Sequence, residues 1–301
     1  DTDESDTKEE PPKAEWTALA LGADGDLQKI RFLDNMGFLI VGDNSTVLRA
    51  QGSGWIREWA PYSSHTLRDI TLHRNALYSV GDKGRWLKRN THGAWLPVEN
   101  TIKVDLHGAA SLADGLVAVG RDGNIIRMHD AGFTYEQVNP DYNLYAIASA
   151  GNGEAFVTGT QGLVLRRGLE ESECTPMSND LCMPCTADSD CSGNLCLTFI
   201  GGDQKRCSSP CEDHSFCPSG MKCIQNGEAG HCQPEPVVDW FATTVGPEDT
   251  ALHDVFLLDP FNVYVVGDNG YAARFSGPWM DESTSTDSDL HAVSGGAGRV
   301  Y

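Results

Sequence analysis

The stretch that decides the fold is Leu77-Tyr-Ser-Val-Gly-Asp-Lys-Gly-Arg-Trp-Leu-Lys-Arg89, an apolar run, a Gly-Asp-Lys-Gly turn and a basic end. Alone it fits an anion-binding loop as well as a hairpin. Its recurrence decides between them. Gly81 has counterparts at Gly42, Gly120 and Gly159, each 39 residues from the next, and again at Gly267. The surrounding text repeats as LIVGDNSTVLR (39–49), VAVGRDGNIIR (117–127), FVTGTQGLVLR (156–166) and YVVGDNGYAAR (264–274). A Leu-initiated segment starts 14 or 15 residues before each Gly, at Leu27, Leu67, Leu106, Leu144 and Leu252, and an aromatic segment comes after it with Trp55, Trp95, Tyr135 or Trp279.

Each unit reads as four short strands. The second is an unbroken apolar run such as Val263–Val266, which predicts burial on both faces. The third ends on a basic residue and the fourth carries the aromatic. The Gly-Asp-x-Gly between strands two and three predicts a tight hairpin in which glycine supplies positive φ. Radially stacked four-strand units of about 40 residues protect their sheet edges in a β-propeller. The expected architecture is therefore all-β, a propeller of about six four-stranded blades. Two end segments bear on closure: EWTALA (15–20) resembles a lone fourth strand around Trp16, and LHAVSGGAGRVY (290–301) resembles a first strand and half of a second, so the last blade is expected to be incomplete at the C-terminus.

The spacing from Gly159 to Gly267 is 108 residues, which exceeds the period by 69, and all ten cysteines fall in the excess. The expected organisation is an acidic tail at 1–15, propeller at 16–168, a disulfide-rich insertion at 169–236 inside the fourth blade, and propeller again at 237–301. Cys185, Cys191, Cys196 and Cys207 are echoed by Cys211, Cys217, Cys223 and Cys232, with Cys174 and Cys182 ahead of them. An even count in a Gly-rich, core-poor segment points to disulfides and an oxidising compartment. Pairing is expected within each four-cysteine unit and between Cys174 and Cys182. Cys182-x2-Cys185 also has a zinc-ligand spacing, but it occurs once.

VVGDNGYAAR together with Trp279 resembles the bacterial BNR-type propellers related to the photosystem II stability and assembly factor, and more loosely WD-repeat and YVTN propellers, over residues 16–168 and 237–301. The cysteine spacing is similar to Dickkopf N-terminal-type modules. The propeller resemblance implies a noncatalytic protein-binding scaffold.

Charge and composition narrow the function. With 22 Lys+Arg against 43 Asp+Glu the net charge is −21, which disfavours nucleic acid and anionic lipid as partners. No run of 18 apolar residues is present to cross a membrane as a helix. The N-terminal DTDESDTKEEPPKAE has the composition of a solvated tail, and it reads as the segment left after removal of an export signal.

Residues at equivalent repeat positions form rings about a propeller axis. Directly after the initiating Leu stand Gln28, Arg68, His107, Tyr145, His253 and His291, a candidate small-anion or metal site at one mouth of the channel. Seven residues after each Gly stand Arg49, Lys88, Arg127, Arg166 and Arg274, a basic ring best explained by cross-strand pairing with acids such as Glu58 and Glu136. Asp24-Gly25-Asp26 and the DESTSTDSD loop (281–289) are weak Ca²⁺ candidates, with no other cofactor or metal expected. Asn44-Ser45-Thr46 matches a glycosylation sequon. Sialidase-type turns with a Thr-Trp continuation, a Walker loop, Gly-x-Ser-x-Gly and His-Glu-x-x-His are all missing, so no catalytic residue is assigned. The expected function is an exported scaffold binding a protein or glycan in the periplasm or at the cell surface. The alternatives are a secreted glycoside hydrolase or lyase working at the channel mouth, and a structural subunit of a surface assembly.

Overall fold

The computed structural model describes residues 18–301 except 20, 34–35, 63, 114, 130–131, 150–153, 171–175, 178–179, 193, 200–203, 213, 220, 227–228, 235–236, 260 and 297–298. Five antiparallel four-stranded sheets succeed one another along the chain, each in simple sequence order. Blade 1 comprises Leu27–Leu33, Gly37–Gly42, Thr46–Gln51 and Gly54–Arg57. Blade 2 comprises Leu67–His73, Ala76–Gly81, Arg85–Arg89 and Trp95–Pro97, and blade 3 Leu106–Leu112, Gly115–Gly120, Asn124–His129 and Gly132–Gln137. Blade 4 comprises Leu144–Ser149, Ala155–Gly159, Leu163–Glu170 and Val237–Thr244; blade 5 comprises Leu252–Asp259, Asn262–Gly267, Ala272–Phe275 and Trp279–Asp281.

The first strand of each blade lies against the first strand of the next, from blade 1 through blade 5 and on to Gly295–Gly296. That succession is the propeller-like arrangement the period implies, with first strands innermost. The core is correspondingly a series of seams between blades. Leu39, Val41 and Val47 of blade 1 pack on Leu67, Ile70, Leu87 and Trp95 of blade 2, and Ala146, Phe156 and Val164 of blade 4 pack on Leu252, Val255 and Val263 of blade 5. The second strands are buried on both faces, as their apolar runs require; Gly115–Gly120 is buried throughout.

The hairpin expected at each Gly-Asp-x-Gly is present, but its two glycines have different work. The turn residues with positive φ are the third and fourth of the motif, Lys83 at 55° and Gly84 at 70°, or Asn269 at 54° and Gly270 at 71°, and the Arg85 and Tyr271 N–H groups close the turns on the Asp82 and Asp268 carbonyls. Positive φ at both central residues is the primed geometry that matches strand twist. The leading Gly81 is instead extended at φ −176°. A Cβ there would collide with the Thr66 carbonyl, and the same holds at Gly42, Gly120, Gly159 and Gly267 against the residue preceding each first strand. The periodic glycine therefore permits close backbone approach, not an unusual φ.

In blade 4 the third and fourth strands pair from Leu163 opposite Thr244 to Glu170 opposite Val237, so the insertion emerges from the far end of this hairpin. Its disulfides are Cys185–Cys196, Cys191–Cys207, Cys211–Cys223 and Cys217–Cys232. Each unit thus pairs its first cysteine with its third and its second with its fourth. Cys182 is also disulfide-bonded, which removes the Cys182-x2-Cys185 zinc reading; Cys174 lies outside the described residues. The two-stranded unit Leu195–Thr198 with Lys205–Ser208 and the three-stranded unit Pro210–Cys211, Ala229–Gln233 and Lys222–Asn226 are the two echoes of the repeated spacing.

Among the described residues of 290–301, Gly295–Gly296 pairs with Arg299–Val300 and Ser294 and Tyr301 exchange backbone hydrogen bonds, a hairpin shorter than the expected first strand and half of a second. Trp16 lies outside the described residues, as does the whole acidic tail at 1–15. Among the described residues no helix is long and apolar enough to cross a membrane.

Candidate functional site

In all five blades the pairing of first and second strands slips by one residue directly after the initiating Leu. The extra residue in each case is Gln28, Arg68, His107, Tyr145 or His253. A bulge leaves one residue unpaired and re-aims its side chain, so the repeat builds the same offset side chain five times around one mouth. His291 comes directly after the sixth Leu, Leu290, and joins the same row.

Four of these rings touch in sequence. His107 stacks on Tyr145 at 5.6 Å between centroids, Tyr145 meets His253 at 5.8 Å, and His253 meets His291 at 5.1 Å. Burial pushes the His107 imidazole below its ordinary pKa, against a hydrogen bond it donates through Nδ1 to the Leu144 carbonyl at 2.9 Å. Burial likewise raises the Tyr145 phenol. Arg68 donates to Asp82 at 2.8 Å, and Gln28 reaches Asp43 at 3.5 Å. Four of the six ring members are therefore aromatic and in contact, and the other two are Gln28 and Arg68, with the arginine already paired to Asp82.

Carboxylates at the mouth come from two further offsets that the periodic ring positions do not include. One comes directly after the periodic Gly (Asp43, Asp82, Asp268). The other precedes the next blade's Leu (Asp105, Asp289). The second set ties blades together: Lys83 N–H donates to Asp105 at 2.8 Å and Asn269 N–H to Asp289 at 3.0 Å, while Asn143 accepts from Asp122 N–H in the same way. His253 donates through Nε2 to Asp268 at 2.6 Å. Burial works to raise the Asp268 carboxyl, but the Ala251 N–H, the His253 bond and the neighbouring His253 and His291 charges outweigh it and hold it below the usual carboxylate range. His253, Asp268 and Asp289 bring three potential ligand atoms within 4.8 Å of one another. A groove of about 330 Å³ opens beside them, lined by Glu248, Asp249, Asp268 and Asp281 among others.

The weak Ca²⁺ candidates part ways. Asp24 sits exposed 3.4 Å from Arg57, and Asp26 offers its N–H to Asp43, with no cluster of ligands around them among the described residues. The 281–289 loop, in contrast, delivers Asp289 to the mouth. Asn44 of the sequon lies in the blade 1 turn and donates its side-chain amide to the Asp24 carbonyl at 2.8 Å.

The basic ring lies on the outer part of the blades. Arg49 pairs with Glu58 at 2.9 Å, Arg127 with Glu136 at 3.2 Å, Arg166 with Glu154 at 2.8 Å and Arg274 with Glu282 at 2.9 Å. Lys88 instead stands over the Tyr78 ring at 5.5 Å. Further along the first strands of blades 2 and 5, Asp69 and Asp254 are buried, accept the Ala109 and Val293 N–H groups of the following segment, and bind Arg31 and Lys29 of blade 1.

Fold and site together define an all-β, propeller-like protein with an aromatic and acidic channel mouth and a disulfide-bonded knob. No protein-family model matches the chain, and no curated protein matches it. Among solved structures it is similar to YCF48 from Cyanidioschyzon merolae, at 13% identity and TM-score 0.47 over 85% of this chain and 70% of that one. It is similar also to YCF48 bound to D1 peptide, at 14% and 0.45 over 93% of this chain and 89% of that one. A third likeness is to PorZ, a surface component of the type-IX secretion system of Porphyromonas gingivalis, at 11% and 0.33, where the match spans 89% of this chain and 37% of PorZ. Likenesses this distant carry no argument about function.

Proposed function

We propose that the chain is an exported, noncatalytic binding protein whose propeller mouth docks a protein partner through a basic or aromatic segment. The observation that carries this reading is the contiguous row His107, Tyr145, His253 and His291, raised on bulges and flanked by Asp82, Asp105, Asp268 and Asp289. Stacked, partly exposed rings offer contact area at low entropic cost and bind cationic side chains over their faces. The surrounding carboxylates and the net charge of −21 favour a cationic segment and speed its encounter. Disulfides in the knob support an oxidising, exported setting. The mouth carboxylates hold backbone N–H groups, Arg68 or His253, work that organises the blades without requiring a reaction.

The test is site-specific photocrosslinking in the native cell. A crosslinking amino acid at Tyr145 is expected to capture a discrete partner, and the same group at Leu96, exposed on an outer strand, is not. Capture at Leu96 or in the knob with none at Tyr145 would overturn the mouth as the docking surface.

A further inference from the structure

The three offsets at the mouth, namely the residue after the Leu, the residue after the Gly and the residue before the next Leu, meet at every junction between blades. Their contents differ. The blade 1 junction holds Gln28, Asp43 and Thr66; blade 2 holds Arg68, Asp82 and Asp105; blade 3 holds His107, Arg121 and Asn143; blade 4 holds Tyr145, Thr160 and Ala251. Only the blade 5 junction combines an imidazole with two carboxylates, His253, Asp268 and Asp289, and there the next ring residue is a second imidazole, His291, 5.1 Å from His253 between ring centroids.

The blade 2 junction shows what the same geometry does when it is purely structural. Two carboxylates, Asp82 and Asp105, are present there too, but Arg68 sits beside Asp82 at 2.8 Å and Arg121 lies 3.9 Å from Asp105. Fixed positive charge neutralises the pair. At the blade 5 junction the side chain in the Arg68 position is His253, whose nitrogen can give up its proton and act as a ligand. We infer that this junction is a divalent transition-metal site, with His253 Nε2 and one oxygen each of Asp268 and Asp289 as ligands and His291 beside them.

The donor set is one that zinc and its neighbours accept, imidazole nitrogen with carboxylate oxygen at about 2.0–2.2 Å from the ion. Two backbone N–H groups prepare the carboxylates: Ala251 N–H holds Asp268 through Oδ2 at 2.9 Å and Asn269 N–H holds Asp289 through Oδ1 at 3.0 Å. Such outer hydrogen bonds orient ligating carboxylates. The 2.6 Å His253–Asp268 hydrogen bond is the one a metal replaces, the ion taking the place of the Nε2 proton while Nδ1 carries the ring's remaining proton: from the imidazolium one proton leaves to solvent, and from the neutral ring the Nε2 proton is exchanged through water for one on Nδ1. Ligand atoms now spread within 4.8 Å need only side-chain adjustment to reach the roughly 3.4 Å separation of neighbours around a tetrahedral ion. Asp289 is exposed and the acidic groove beside Asp268 is open, which gives an ion an entry path.

The site extends the docking surface but does not depend on it, because the experiment needs no partner. Zn²⁺ alone is titrated calorimetrically into the full chain, and Co²⁺ is tracked by its visible ligand-field bands. One saturable equivalent is expected, weakened about tenfold or more by His253→Ala and by Asp289→Asn. The Asn variant keeps an oxygen for the Asn269 N–H, and His253→Ala touches no backbone contact, so folding is checked by matching thermal midpoints. His92→Ala, an exposed histidine far along blade 2, is expected to leave binding unchanged. Failure to saturate at one equivalent, or equal binding by folded His253→Ala, overturns the site while leaving crosslinking at Tyr145 as a separate question.

Discussion

Glu58 shows how much one residue can hold. It is 7% exposed and receives hydrogen bonds from Arg49 at 2.9 Å, from Arg89 at 2.6 and 2.7 Å and from the indole Nε1 of Trp95 at 3.0 Å. It thereby fastens the outer strand of blade 1 to blade 2. Burial works to raise its carboxyl, but the two arginines and the indole outweigh that and hold it below the ordinary range. Removing one member of a buried pair leaves the others desolvated and unpaired, so Glu58→Ala is expected to destabilise by about 3–5 kcal/mol in urea unfolding. A group with a depressed folded pKa contributes stability that is present above its unfolded pKa, about 4.3 for glutamate, and lost as pH falls through the folded value. The stability gap between wild type and Glu58→Gln should therefore be constant from neutral pH to about 5 and shrink below about 4. A gap that widens on acidification would contradict this assignment. Arg49 and Glu58 were both legible in the sequence as a cross-strand pair; Arg89 and Trp95 were not, because they approach from the next blade and pairing within one repeat says nothing about its neighbour.

At the level of elements the 39-residue period carried the reading. Strand order, the doubly buried second strand and the interruption of blade 4 between its third and fourth strands all derive from it, since a repeat fixes what each segment must pair with. The ring after the Leu was legible as a position, but the bulge that aims it was not, because a bulge is a property of two strands in register. Asp268 escaped for the same reason, and Asp289 was legible only as part of the 281–289 loop and not as a neighbour of His253, because the three positions are brought together only when the sheets pack. The knob obeys other rules. Its buried groups are largely cysteines, with Leu181, Phe199 and Met221, so its order depends on crosslinks closing loops of 11 to 16 residues, each contributing about 3 kcal/mol. The propeller blades hold no cysteine. Reduction is expected to open residues 180–233 to proteolysis while the propeller keeps its β-type circular dichroism and its own thermal transition. Loss of both in one transition would show that knob and blades fold as a unit.

Across the whole molecule the seams between blades set stability, and one face departs from the rest. At positions where blades 2 to 5 bury Leu67, Ile70, Leu77 and their counterparts at 0–6% exposure, blade 1 shows Leu27, Ile30 and Phe38 at 40, 55 and 45%. The blade 5 side is met by the short Gly295–Val300 pairing, and Lys29 reaches across to Asp254 at 3.1 Å. The buried seams between successive blades do not need the knob, whose two connections leave from paired neighbours, Glu170 and Val237. Two strands ending opposite each other can be joined by a two-residue turn, and Asn-Gly suits the primed geometry already used at Asn269-Gly270. Replacing residues 171–236 with Asn-Gly is therefore expected to give a folded, soluble chain whose thermal midpoint stays within a few degrees of the propeller transition of the parent. The same variant separates the two recognition surfaces: capture from Tyr145 should survive the deletion if the mouth carries the contact, whereas its loss in a variant with an unchanged midpoint would move recognition to the knob.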